Sequence, residues 1–185
     1  KRLMNLFEEF GFKNHGKKNS KNGEELVYTR DFTGRISGLN ARKDFPFIPP
    51  KSKVYFVSIY PEYHTELFPD SILKTEIKNE FIDNQPYRNA ISKVYISHAI
   101  DRPIKKGDIL VIYRTGGYYK GVVTTLCIVD EVHNPINSLE ELKHLCKKKT
   151  VLTETELKAF WNRYPKLKPF VVDILYSYTL KNKIN

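Results

Sequence analysis

Four short apolar runs, at 54–59, 109–113, 122–129 and 170–178, dominate the hydrophobic pattern of this chain. They are rich in Val, Ile, Leu, Phe and Tyr and apolar on both faces, the signature of short strands buried on each side. Residues 114–121 join the second run to the third and hold Gly116, Gly117 and Gly121, which predicts a hairpin with a glycine-dependent loop. The longest run, 54–60, is interrupted by Ser58. It falls far short of the roughly 20 residues that a membrane helix needs, so no membrane partner is expected.

Helical spacing fills the connections. Leu139, Leu142 and Leu145 lie along one face of 138–148, and Thr153 with Glu156 forms a capping box ahead of Leu157, Phe160 and Trp161, closed by Pro165. Near the start, Leu3, Leu6, Phe7 and Phe10 make one apolar stripe, with Gly11 placed for a left-handed helix end and Phe12 for the contact beyond it. A polar stretch reads as a loop, 24–32 alternates as a strand, and 34–50, with two glycines, three prolines and three cations, has the composition of a linker. The opening residues carry no initiator Met and no N-cap, and the chain is expected to be cut from a longer protein.

Charge and chemistry narrow the function. Thirty-one Lys and Arg against twenty-one Asp and Glu give a net charge of +10, which concentrates polyanions near the surface and makes nucleic acid the first candidate partner. The two cysteines form no disulfide framework and no secretory signal is present, so a reducing cytoplasm is expected. The five histidines are scattered without metal-ligand spacing, and no nucleophile elbow, Walker loop or dinucleotide fingerprint occurs. Arg114-Thr-Gly-Gly-Tyr-Tyr imitates an acyl-CoA loop, but it joins two strands, whereas an anion cradle should open a helix. No catalytic residue, metal or cofactor is therefore assigned to this chain.

Two resemblances add to this. Leu6-Phe-Glu-Glu-Phe-Gly-Phe12 followed by Gly23-Glu-Glu-Leu-Val-Tyr28 resembles the closing helix and strand of a GNAT-superfamily acetyltransferase. It implies an upstream acetyltransferase domain, with acetyl-CoA the cofactor of that parent enzyme. The larger part resembles the EVE, ASCH and YTH branches of the PUA-like superfamily, carried by four pieces in order: Val54-Tyr-Phe-Val-Ser-Ile-Tyr-Pro61, Tyr87-Arg-Asn-Ala90, Lys106-Gly-Asp-Ile-Leu-Val-Ile-Tyr113, and the returning run from Gly121 to Glu131. The tryptophan usual near the first strand of EVE domains is replaced by Tyr55-Phe56, and the ASCH signature is missing, although Lys93 stands near the ASCH lysine.

The resemblance implies an α+β chain: a PUA-like mixed β-barrel with peripheral helices at 51–185, a linker at 34–50, and a GNAT-like helix-strand remnant at 1–33. It implies binding of RNA or DNA, with a modified base in a pocket as one form. A flipped base needs an aromatic wall, hydrogen-bonding groups and cations for the flanking phosphates. The candidates of those types are Ser58, Tyr60, Arg88, Asn89, Lys93, Tyr113, Arg114, Thr115, Tyr118 and Lys120. Tyr113 also reads as a core residue, Arg88 and Arg114 as solvated charges, and His64 and His98 as structural histidines. Two rival functions remain beside this one: an acetyltransferase fragment whose core lies upstream, and a sensor of a free modified nucleoside.

Overall fold

The computed structural model describes residues 1–33, 36–38, 40–73, 85–116 and 121–184. The chain is α+β, built on a five-stranded sheet that curls into a half-barrel with helices around it. Its strands are β3 (Val54–Ile59), β4 (Ser92–Ser97), β5 (Ile109–Arg114), β6 (Val122–His133) and β7 (Phe170–Ile184), in the spatial order β3-β5-β6-β7-β4. A separate hairpin near the start holds β1 (Lys13–Ser20) and β2 (Gly23–Thr29).

The four apolar runs are β3, β5, β6 and β7, and β5 pairs antiparallel with β6 across the expected hairpin, Arg114 opposite Val122. β3 and β5 run parallel, Val54 beside Ile109 through Ile59 beside Arg114. A parallel pair needs a long crossover. This one carries β4, which the hydrophobic runs did not predict because buried Lys93 and two serines break its apolar pattern. β4 pairs antiparallel with β7 at the far edge. Register shifts along β6, at Val123/Thr125, Leu126/Cys127 and Val129/Glu131, bend the central strand, and bulges of this kind sharpen local twist and curvature.

Both faces are covered over β5 and most of β6, whereas the run at 54–59, expected to be buried on each side, leaves one face of β3 open, with Val54 and Phe56 exposed. On the concave side Val57, Ile59, Leu110, Ile112, Cys127, Val129, Val172 and Ile174 pack with Leu67 and Phe68. These last two sit at the end of α3 (Pro61–Leu67), and burying a side chain of that size is worth about 1.5–3 kcal/mol. On the convex side, Val94 and Val171 meet α5 (Leu139–Cys146) and α6 (Glu154–Asn162), while Ile109, Val111, Ile128 and Leu175 meet Ala41.

The helix ends follow their sequence signals. Ser138 caps α5 by accepting from the Glu141 amide, and the α6 box is complete: Thr153 Oγ1 accepts from the Glu156 amide at 3.2 Å while the Glu156 carboxylate accepts from the Thr153 amide at 2.7 Å. Thr153→Ala is expected to destabilise the fold by about 1 kcal/mol, read as a lower urea midpoint with an unchanged slope.

The start of the chain differs from expectation in two places. After α1 (Arg2–Glu9), Gly11 takes a left-handed φ of 77° and the Phe12 amide donates to the Phe7 carbonyl, with their rings 5.5 Å apart. The following polar stretch is β1, not a loop. Its side chains are almost all exposed, so backbone pairing with β2 holds it and no apolar alternation marks it in sequence. The segment of linker composition contains α2 (Ala41–Asp44), capped by Asn40, whose side chain accepts from the Arg42 and Lys43 amides. Arg42 reaches Glu9 on α1 and Asp130 on β6, the latter at 2.7 Å, so α2 ties the N-terminal unit to the sheet.

Candidate functional site

The curl of the sheet brings its two edge strands to the same concavity. A cavity of about 530 Å³ lies between them, walled by Ser58 and Tyr60 at the end of β3, by Tyr95 and Ser97 on β4, and by Tyr63 on α3. The segment 150–152 and the end of α6, with Phe160, Arg163 and Tyr164, complete it. Local structure explains how these groups arrive. Val57 and Ile59 point into the core, with Ile59 also lining the cavity, while Ser58 alternates to the open face it shares with Phe56 and borders the cavity at the strand end. Pro61 at the first helical position starts α3 at once and leaves Tyr60 at the rim, 62% exposed.

Aromatic rings from three elements share the wall with aliphatic side chains. His98, just past β4, stacks on Phe160 with centroids 4.3 Å apart and planes 27° from parallel, and meets Tyr164 edge-on at 5.0 Å. Burial, followed by the nearby Arg163 and then Arg102 and Lys168, pushes its pKa down, so the ring stays neutral near pH 7. Tyr63 is shifted the other way: burial first, then Glu156 and Glu62, raise its phenol.

The sequence-predicted site residues do not all gather here. Ser58 and Tyr60 line the cavity. Arg88 on α4 (Pro86–Asn89) pairs with Glu66 at 2.7 Å, and Asn89 ends that helix, exposed. Lys93 is fully buried: its Nζ donates to the Tyr87 and Arg88 carbonyls at 2.6 and 3.0 Å and sits over the rings of Phe68 and Tyr176, and burial lowers its pKa to about 8. Tyr113 packs on Gly121, where an added Cβ would overlap the tyrosine hydroxyl, so a close approach requires glycine there. Arg114 is buried near His64, and the Thr115 amide donates to the Ile59 carbonyl at 2.9 Å. Tyr118 and Lys120 lie outside the described residues.

Sequence reading missed Tyr95, Phe160, Arg163 and Tyr164, and it took His98 as structural. The available signal was the composition of the α6 end, Phe160-Trp-Asn-Arg-Tyr164, where three aromatics and an arginine fall on the last turn and just beyond. Nothing in the chain announces that this turn meets β4 and β3, because that contact depends on the curl.

Among the described residues no group of three His, Cys, Asp or Glu side chains is placed to hold a metal ion, and no helix is long and apolar enough to cross a membrane. No family model, curated protein or solved structure matches the chain.

Proposed function

We propose that this chain binds single-stranded RNA or DNA, with one base held in the cavity between β3 and β4, in a PUA-like domain. One observation carries the reading: the cavity has the size of a small-ligand site and a wall of aromatic rings and aliphatic side chains, with hydroxyls and an arginine among its lining. Every base has a π-face, and stacking on such rings is worth about 1–3 kcal/mol per base. The net charge of +10 favours the polyanion to which the base belongs.

Tyr60 and Tyr164 are 62% and 44% exposed, so their removal leaves the core intact. Tyr60→Ala and Tyr164→Ala are each expected to weaken binding of labelled single-stranded oligonucleotides by roughly 5- to 100-fold, with melting temperature unchanged. Affinity for the wild-type protein should fall steeply as salt rises, since phosphate contacts release counterions. A free nucleoside bound equally well, with no salt dependence, would favour a small-molecule sensor. Absence of binding to any single- or double-stranded RNA or DNA at low salt would overturn the proposal.

A further inference from the structure

Two side chains of opposite charge line the cavity, Glu62 on the first turn of α3 and Arg163 just past the end of α6, and no ion pair joins them. On α3, Tyr63 senses Glu62 and Glu156. Glu156 is committed to the α6 capping box, whereas Glu62 lies on the cavity wall and makes no ion pair among the described residues. On the α6 side, Arg163, Arg102 and Lys168 lie near His98. Arg102 is spent on structure: its guanidinium donates to the Ala99 and Lys168 carbonyls and to the Asn134 side chain, at 2.9, 2.7 and 2.6 Å. Lys168 bonds the Trp161 carbonyl and lies over the indole ring at 4.6 Å. The Arg163 guanidinium lies 5.6 Å from the neighbouring Tyr164 ring, makes no ion pair among the described residues, and lines the cavity.

A ligand that suits both side chains presents hydrogen-bond donors to the carboxylate and negative charge to the guanidinium, with a flat ring against the aromatic side chains. Resting on the reading above, we infer that the cavity takes a nucleotide unit whose base carries an amino group, with that base edge donating to the Glu62 carboxylate and the phosphate placed against Arg163. A carboxylate accepts from an exocyclic amine such as the cytosine 4-amino group and is repelled by the carbonyl that uracil presents at the same position. Arg163 supplies a charge-assisted bond to a phosphate oxygen.

Cytosine and uracil are nearly the same size and stack alike, so comparing them isolates the polar edge. With the whole chain and single-stranded octacytidylate and octauridylate, in ribo and deoxy form, the cytosine oligomer is expected to bind about tenfold more tightly. Glu62→Gln should bring that ratio close to one. Arg163→Ala should weaken both oligomers about equally and lower the slope of log affinity against log salt by about one. Both side chains are exposed, so folding is not at stake. If the two oligomers bind alike in the wild type, or the ratio survives Glu62→Gln, or the slope survives Arg163→Ala, this assignment is wrong. In that case Tyr60→Ala still weakens binding and the base-binding reading stands. If Tyr60→Ala and Tyr164→Ala also leave binding untouched, the cavity itself is not the site and both fall.

Discussion

Acidification from pH 6.5 to about 3 is expected to remove on the order of 5 kcal/mol of stability through His64 alone. The ring is fully buried on α3, its Nε2 2.7 Å from Thr124 Oγ1 and its Nδ1 without a hydrogen-bond partner. Burial, with Arg114 and Lys183 nearby, lowers its pKa to about 3. In the unfolded chain the imidazole takes up a proton below about 6.5, while in the folded protein it does not until about 3. The unfolded state therefore binds more protons across this window. The contribution is fully present above the upper value and lost progressively as the pH falls towards the lower one. Urea unfolding of the wild type and His64→Gln at a series of pH values isolates the effect. Other groups that titrate in the same range act equally in both proteins and cancel in the difference. The variant should be less stable at pH 7 and converge on the wild type as the pH drops. Parallel curves would show that His64 titrates as an ordinary histidine.

His64 also shows where sequence reading stops. Its burial was foreseeable as one of two roles for a histidine beside apolar residues, but not its place in a chain of hydroxyls. Thr124, Thr125, Ser71 and Thr179 link one to the next at 3.1, 2.6 and 3.0 Å from positions far apart in sequence. The strands were legible because a short apolar run leaves a mark that needs no knowledge of its partner, even in β3, where one face stays open. The capping box and the Gly11 helix end were legible for the same reason, since each is closed within a few residues. β1 left no mark because its stability is in backbone pairing, and β4 left little because it carries Lys93, whose charge is met by two main-chain carbonyls rather than by any neighbouring side chain visible in sequence. The cavity was half legible. Ser58 and Tyr60 follow from the alternation of β3 and the proline after it, whereas Tyr95, His98, Phe160 and Tyr164 come from two other elements that reach β3 only after the sheet has curled.

Phe68 and Phe56 are indistinguishable on any hydrophobicity scale, yet their truncations should differ by several kcal/mol. Phe56 points away from the core on β3, an edge strand with no layer above that face, and is 71% exposed. Phe68 closes α3 and is wholly buried, its ring 5.6 Å from His64 and 5.7 Å from Tyr176, with the Lys93 ammonium 5.9 Å from its centroid. Phe68→Ala removes the contacts that hold α3 in the half-barrel and leaves a cavity facing a buried lysine, a cost of about 3–5 kcal/mol. Phe56→Ala gives up surface that water already reaches and is expected to stay within about 0.5 kcal/mol of the wild type. Urea denaturation measures both, and the slope should be unchanged for each if the native state keeps its extent. Because Leu67, the neighbour of Phe68, lines the cavity, Phe68→Ala should also weaken oligonucleotide binding while Phe56→Ala leaves it intact. Equal costs for the two would mean that α3 does not fill the concave face of the sheet, and with it would go the wall that carries Tyr63 and Glu62.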